Sequence, residues 1–119
     1  MARVLVVDDE ASMRFLLRLT FEAAGHEVEE APNGVVAIER IESGRVPDLV
    51  ATDFMMPRMN GGEFIARLRR NPATEQLPVI VVSASPGSER KTSADAFFRK
   101  PFDPAALVAC AHSLLGSGG

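Results

Sequence analysis

The sequence PDLVATDFMMPRMNG, residues Pro47–Gly61, combines a strand signal, a turn signal and a single carboxylate. Leu49–Thr52 is a short apolar run with β-branched residues, bounded by prolines, which predicts a strand buried in a parallel sheet. The run leads to Asp53, and Asn60 followed by two glycines is typical of a turn before the next helix. In an open α/β sheet, binding and reacting groups gather beyond the carboxyl ends of the strands. Asp53 is therefore a candidate functional carboxylate, with the alternative that it only caps a loop.

Strands and helices alternate along the rest of the chain. The predicted strands are Arg3–Val7, Glu27–Ala31, Asp48–Asp53, Pro78–Ser83 and Ala96–Lys100, and the predicted helices are 13–24, Val35–Ile41, Glu63–Arg70 and a last helix that begins at Pro104. This alternation predicts an α/β fold, in which helices cover both faces of a parallel sheet. Right-handed crossovers restrict the strand order, and five strands fit the flavodoxin-like, doubly wound order 2-1-3-4-5.

Length and composition limit the classes of protein to which the chain can belong. With 119 residues, 46% hydrophobic and 24% charged, we expect one domain over residues 1–116 and a flexible tail at 117–119. The net charge of −3, without a basic stripe, argues against a nucleic-acid partner. We find no signal peptide and no apolar run that could span a membrane, and the single Cys110 suits a reducing compartment, so we expect a cytoplasmic protein. His26 and His112 are interpreted as surface residues.

Polar residues stand at the ends of four apolar strands. Asp8 and Asp9 follow the first strand, and Asp53, Ser83 and Lys100 end the third, fourth and fifth. Because the carboxyl ends of parallel strands share one edge, this pattern brings three carboxylates, a hydroxyl and an ammonium together. Three close carboxylates repel one another unless a cation lies among them, and an all-oxygen site suits Mg²⁺. A carboxylate beside a metal and a lysine can act as a nucleophile toward phosphorus and form an acyl phosphate.

Each of these residues also has a purely structural interpretation. Asp8 and Asp9 can serve the dipole at a helix N-terminus, Ser83 can cap a strand end, and Lys100 can be a solvated surface residue. Their occurrence together at one edge favours the functional interpretation.

The chain also resembles, from end to end, a receiver domain of two-component response regulators of the single-domain, chemotaxis-regulator-like type. The matching motifs are VVDDE at Val6–Glu10, PNG at Pro32–Gly34, DFMMPRMNG at Asp53–Gly61, VSA at Val82–Ala84 and KPF at Lys100–Phe102. Each motif alone is weak, but the five in this order and in their strand context are specific.

The resemblance implies that Asp53 is the phosphoacceptor, which takes a phosphoryl group from a histidine kinase or a phosphotransfer protein. It implies that Asp9, Asp53 and the backbone carbonyl of Met55 hold Mg²⁺, with Asp8 contributing through water. The phosphorylated form would then alter binding to a downstream partner protein. The chain would thus be a signalling switch and not an enzyme.

Three further residues take roles in this resemblance. Lys100 and Ser83 would bind the phosphoryl oxygens, and Phe97 matches the family's aromatic switch position. Phe97 has no hydroxyl, so a switch there would work by packing alone, and plain core packing is the alternative.

The connection between the fourth and fifth strands departs from the family pattern. Only 17 positions separate Ser83 from Lys100, several fewer than is usual, and Ser85–Asp95 contains no large apolar residue. An amphipathic helix needs an apolar stripe to bury. We therefore predict that the family's fourth helix is shortened or missing, with at most one turn at Ser88–Lys91.

Two other functional classes stay open beside the phosphorylation switch. One is a pseudo-receiver that acts only as a protein-interaction module. The complete set of acids, Ser83 and Lys100 argues against it, and the shortened connection keeps it open. The other is an Mg²⁺-dependent phosphatase with an aspartyl nucleophile. Such an enzyme typically needs a second acid two residues after the nucleophile for proton transfer, and Met55 stands there.

Overall fold

The fold is built from alternating strands and helices along one chain. The computed structural model describes residues 1–84 and 92–116. The strands are β1 (Arg3–Val7), β2 (Glu27–Ala31), β3 (Leu49–Thr52), β4 (Val79–Ser83) and β5 (Ala96–Arg99), and the helices are α1 (Ala11–Ala23), α2 (Gly34–Glu42), α3 (Gly61–Arg70) and α4 (Pro104–Gly116). All predicted elements are present in the predicted order, with bounds that shift by at most two residues.

The five strands form one parallel sheet with the order β2-β1-β3-β4-β5. This order confirms the flavodoxin-like prediction. The chain passes from β1 to β2 on one side and then returns to place β3 on the other side of β1. The point of reversal opens a crevice beyond the carboxyl ends of β1 and β3. Asp8 and Asp53 are the residues that follow these two strands.

Hydrophobic clusters cover both faces of the sheet. Successive strand residues point to opposite faces, so one strand supplies both clusters. One cluster joins the sheet to α2 and α3 and includes Leu5, Val7, Ala37, Ile38, Phe64 and Leu68. The other joins the sheet to α1 and α4 and includes Val4, Val6, Leu17, Phe21, Leu107 and Ala111. The prediction of helices on both faces is therefore confirmed.

The start of α3 is fixed beside the end of β3. Asn60 and Glu63 form a capping box: the Asn60 side chain accepts from the Glu63 N–H (2.9 Å), and the Glu63 side chain accepts from the Asn60 N–H (3.1 Å). The next residue, Gly61, donates its N–H to the Phe54 carbonyl at 2.7 Å. The turn after β3 is thus closed on itself by backbone contacts.

The connection between β4 and β5 is described only in part. Its described residues, Ala84 and 92–95, are not helical. Residues 85–91, with the predicted turn at Ser88–Lys91, lie outside the described residues, as does the tail 117–119. The four helices of the described residues agree with a fourth family helix that is shortened or missing. Over the same residues, none of the helices has the length and apolar character that a membrane crossing requires.

Candidate functional site

The residues that follow β1, β3 and β5 each extend the sheet by one further hydrogen bond. Their backbone N–H groups donate from Asp8 to Ala31 (3.2 Å), from Asp53 to Val7 (2.8 Å) and from Lys100 to Ser83 (3.1 Å). Strand pairing therefore holds the backbone of all three residues at one edge of the sheet. The predicted convergence of polar groups at this edge is present in the structure.

Asp53 occupies a nearly closed position at the end of β3. Its exposed fraction is 6%, and its Oδ1 accepts from the Phe54 N–H at 2.8 Å. On the other side, a Cβ added to Gly61 would lie 2.8 Å from the Asp53 carbonyl oxygen. The backbone of α3 thus approaches Asp53 as closely as only a glycine permits.

The Lys100 ammonium forms ion pairs with the carboxylates of Asp8 and Asp53. Its Nζ lies 2.9 Å from Asp8 Oδ2 and 3.7 Å from Asp53 Oδ1, and its side chain is 12% exposed. The interpretation of Lys100 as a solvated surface residue is therefore wrong. Asp8 is fully buried, and its other oxygen, Oδ1, accepts from the Glu10 N–H at the start of α1 (2.9 Å). The same carboxylate thus serves both the helix start and the lysine.

Negative charge exceeds positive charge at this edge. The carboxylates of Asp8, Asp9 and Asp53 each offer an oxygen within 4.8 Å of the others, and the Lys100 ammonium pairs with two of them, Asp8 and Asp53. Burial raises the pKa of Asp53 above its usual value, the charge of Asp8 raises it further, and Lys100 acts in the opposite direction. Burial alone would lower the pKa of Lys100, but its hydrogen bond to Asp8 and the charge of Asp53 raise the pKa overall. The ammonium is therefore held in its charged form.

This donor set fits a hard divalent cation. Asp8, Asp9 and Asp53 offer only carboxylate oxygens, and Asp9 is exposed, so solvent reaches the group from that side. Mg²⁺ prefers oxygen ligands and usually keeps several waters, so it needs only such a partial set from the protein. The acidic group can hold a metal ion of this kind.

The other predicted site residues lie near the same edge with different exposures. Ser83 ends β4, is 5% exposed, and its carbonyl accepts the backbone bond from Lys100. Phe97 on β5 pairs with Val81 and is 36% exposed, so plain core packing does not describe it. Met55, two residues after Asp53, has an exposed fraction of 60%. The roles assigned to these three residues stay predictions.

The sequence did not indicate two of the contacts that shape the site. Arg14 on α1 donates to the Asp8 carbonyl at 2.7 Å, and Gly61 makes room for the Asp53 backbone. The Asn-Gly pair signalled a turn, but a close approach between two backbones depends on the fold. His26 and His112, interpreted as separate surface residues, lie in contact near the amino ends of the strands.

Comparisons with known proteins agree with this arrangement. A model of the response regulator receiver domain matches residues 4–112. The chain is 32% identical to a chemotaxis protein CheY homologue of Campylobacter jejuni, over 98% of this chain and 94% of that protein. It is 39% identical to the phosphate regulon transcriptional regulatory protein PhoB of Rhizobium meliloti, over 95% of this chain and 52% of that protein. The chain thus spans about half the length of that relative, and the same holds for a second PhoB and for RpaA.

Solved structures share the fold over nearly the whole chain. The chemotaxis response regulator CheY4 of Vibrio cholerae matches with a TM-score of 0.86 and 31% identity, over 96% of this chain and 98% of that chain. The receiver domain of a signal transduction histidine kinase from Syntrophus aciditrophicus matches with a TM-score of 0.90 and 28% identity, over 98% and 92%. Since the matched model covers most of the chain and the sheet order agrees, this chain belongs to the receiver domain family of two-component response regulators.

Proposed function

We propose that Asp53 accepts a phosphoryl group from a histidine kinase or a phosphotransfer protein. A carboxylate oxygen of Asp53 forms the new bond to phosphorus while the phosphorus–nitrogen bond of the donor phosphohistidine breaks, and the donor imidazole keeps the electron pair. The product is an acyl phosphate on Asp53. The observation that carries this proposal is the position of Asp53 beside the carboxylates of Asp8 and Asp9, with its Oδ1 3.7 Å from the Lys100 ammonium.

Mg²⁺ would be held by Asp8, Asp9, Asp53 and the backbone carbonyl of Met55. When bound, it would supply positive charge to the oxygens of the transferring group. The support for this assignment is the three-carboxylate donor set and its surplus of negative charge.

Lys100 and Ser83 would bind the phosphoryl oxygens. In the structure the Lys100 ammonium is nearer to Asp8 than to Asp53, at 2.9 Å against 3.7 Å. A phosphoryl group on Asp53 would compete with Asp8 for this ammonium. Because Lys100 continues β5, such competition would act on the strand that also carries Phe97.

The phosphorylated form would alter binding to a partner protein. Protein partners are favoured over nucleic acid because the net charge is −3 without a basic stripe. A catalytic phosphatase would need an acid where Met55 stands, so we do not assign turnover to the site. A pseudo-receiver would have no use for the buried contact between Lys100 and the acids.

Incubation with acetyl phosphate and Mg²⁺, followed by intact-protein mass spectrometry, tests the phosphoacceptor. The wild type should gain one phosphoryl group, and Asp53→Asn should gain none. Asp48→Asn is the matched control, because Asp48 precedes the same strand at its opposite end, where its Oδ2 accepts from the Arg3 N–H at 2.8 Å. Equal labelling of Asp53→Asn and the wild type would overturn the assignment.

A further inference from the structure

Two imidazole rings meet near the amino ends of the strands, at the opposite end of the sheet from Asp53. His26 Nε2 lies 2.9 Å from His112 Nε2, and the ring planes are inclined by 75°. His26 precedes β2, whereas His112 lies in the second half of α4. The backbone N–H of Ala2, just before β1, donates to His26 Nδ1 at 3.1 Å. The pair therefore ties three separate segments together.

The backbone around His26 fixes the position of its ring. Helix α1 ends in a Schellman motif, in which Gly25 has a φ of +93°. The Gly25 N–H donates to the Glu22 carbonyl (2.9 Å), and the His26 N–H donates to the Phe21 carbonyl (3.1 Å). The His26 ring also lies beside the Phe21 ring, with centroids 6.5 Å apart. His26 is thus presented to α4 by the end of α1.

These contacts determine which nitrogen carries each proton. A backbone N–H can only donate, so His26 Nδ1 must offer a lone pair to Ala2. The neutral His26 ring then carries its proton on Nε2, which faces His112. His112 Nε2 must accept that proton's hydrogen bond, so neutral His112 carries its own proton on Nδ1. One proton lies between the two rings.

We propose that His26 and His112 form a proton-sensitive clasp, which holds Ala2 and α4 to the His26 ring when both rings are neutral. Protonation of His26 breaks the Ala2 contact, and protonation of His112 breaks the contact with α4. Protonation of His26 at Nδ1 would direct a second donor at the Ala2 N–H. Protonation of His112 at Nε2 would direct a second donor at His26 Nε2–H. Either event replaces an attractive contact with two donors that face each other.

The surrounding charges act in the same direction. Burial lowers the pKa of His26, and the charges of His112 and the amino-terminal ammonium lower it further. Three acids line the same cavity as His26, and each is paired with an arginine. The pairs are Glu27 with Arg3 (3.9 Å), Glu22 with Arg18 (3.3 Å) and Glu29 with Arg45 (3.8 Å).

Helix α4 brings no carboxylate to the pair. Its sequence PAALVACAHSLLG contains no acidic or basic residue apart from His112. Its other titratable group is the Cys110 thiol, whose pKa burial raises, so that thiol stays neutral. No other side chain of α4 would therefore stabilise a protonated ring.

A metal ion between the rings is disfavoured by the same geometry. Such an ion would need a lone pair from both Nε2 atoms. The His26 proton would then move to Nδ1, where the Ala2 N–H points. A proton fits both hydrogen bonds of the pair, whereas a metal ion would break the one from Ala2.

The sign of the pH effect follows from the lowered pKa of His26. A histidine whose pKa is lower in the folded state than in the unfolded state favours folding above its unfolded pKa of about 6.5. That contribution is lost as the pH falls through the folded pKa. Acidification should therefore weaken the clasp at the contact between His26 and Ala2, while the Asp53 edge lies at the far end of the sheet.

Imidazole nitrogen NMR spectra of the full chain at about pH 7.5, above the ordinary histidine pKa, test the proton positions. The expected pattern is a proton on Nε2 of His26 and on Nδ1 of His112. A proton on Nδ1 of His26 would overturn the proposal. This readout does not depend on whether any variant folds.

Urea unfolding at about pH 7.5 and about pH 5.5, on either side of the ordinary histidine pKa, tests the clasp itself. The matched variant is His26→Asn, whose amide oxygen can accept from the Ala2 N–H without titrating. On acidification the unfolding equilibrium constant of the wild type should rise severalfold more than that of His26→Asn. The difference between the two proteins isolates the titration of the histidine pair, because every other titrating group, Asp53 included, is common to both. An equal rise in both proteins would overturn the proposal.

Discussion

At the scale of single residues, Asp53 carries its negative charge in surroundings that oppose it. It is nearly buried, it faces the carboxylate of Asp8, and the Lys100 ammonium is shared between the two. The raised pKa of Asp53 follows from burial first and from Asp8 second. The unfavourable negative charge of Asp53 thus both lowers the stability of the fold and favours any group that neutralises this carboxylate.

Asp53→Asn should make the metal-free protein more stable. Asparagine keeps the shape and the acceptor for the Phe54 N–H, and it removes the opposed charge. Since the pKa of Asp53 is raised in the folded state, its favourable contribution is present at low pH and is lost as the pH rises through that pKa. The gain in the free energy of unfolding should therefore be clear at about pH 7 and shrink toward about pH 4, near the usual aspartate pKa.

Urea unfolding in the presence of a chelator measures this effect. Asp48→Asn, at the opposite end of β3, is the control and should change stability little. If Asp53→Asn were less stable than the wild type at neutral pH, the charge on Asp53 would not be what lowers the free energy of unfolding.

Gly61→Ala should destabilise the fold and also displace Asp53, the proposed phosphoacceptor. The added methyl would lie 2.8 Å from the Asp53 carbonyl oxygen and from Phe54 Cα, and both are backbone atoms. Overpacking of this kind costs about 1–3 kcal/mol. The expected outcome is a lower urea midpoint and slower phosphorylation by acetyl phosphate.

Gly62→Ala is the matched control for this substitution. Its methyl would meet side-chain atoms instead, Asn60 Oδ1 at 3.3 Å and Phe54 Cε1 at 3.4 Å. The same loss in both variants would show that the close approach at Gly61 is not the cause.

At the scale of elements, the connection between β4 and β5 is secured by one arginine of α3. The Arg69 guanidinium donates to the Leu77 carbonyl (2.7 Å), the Ser93 carbonyl (3.1 Å) and Asp95 Oδ2 (3.2 Å). Asp95 Oδ2 also accepts from the Val79 N–H at 2.8 Å. Side chains thus anchor the entry of β5 to β4 where the described residues contain no helix.

Arg69→Ala should destabilise the protein by about 1–3 kcal/mol, because it leaves several oxygens without their shared donor. The matched substitution is Arg67→Ala on the same helix, which removes an exposed pair with Glu42 (3.4 Å). An exposed pair of this kind contributes about 0–1 kcal/mol. Chemical unfolding of the two variants distinguishes the cases, and equal losses would contradict the anchoring role.

At the scale of the whole molecule, the sheet separates two sets of charged or titratable groups. The acidic group and Lys100 lie at the carboxyl ends of the strands, and the histidine pair lies near the amino ends. Helix α1 runs between them, from Glu10 beside Asp8 to the motif that presents His26. The groups at the two ends thus contact one shared element.

Mg²⁺ should raise the melting temperature at constant ionic strength. A ligand that binds only the folded state stabilises it by mass action, by about 1.4 kcal/mol at about ten times its Kd. Asp9→Ala should remove most of the rise. Because Asp9 is exposed, this substitution should leave the metal-free melting temperature nearly unchanged. A melting temperature of the wild type that is indifferent to Mg²⁺ would contradict the metal assignment.

The sequence predicted the sheet and its polar edge because both depend on local patterns. Apolar runs predict the strands, and Asp8, Asp53 and Lys100 stand at strand ends in the sequence. Parallel pairing then brings these ends to one edge of the sheet. It did not predict the histidine pair, because His26 and His112 lie 86 positions apart and each looks like an isolated surface residue. The sequence also could not predict the contacts of Arg69, because three of its acceptors are backbone carbonyls, which every residue type has.

The extra backbone bonds of Asp8, Asp53 and Lys100 have a consequence for how this fold can evolve. Each residue donates its backbone N–H to the neighbouring strand, so the position of its backbone does not depend on the length of a connection. Insertions and deletions in the connections can therefore accumulate without changing the distances between the charged groups. In this chain only 17 positions connect Ser83 to Lys100, yet the Lys100 Nζ still lies 2.9 Å from Asp8. Evolution can shorten or replace such a connection, and so change the surface that faces other proteins, while the positions of Asp8, Asp53 and Lys100 are kept.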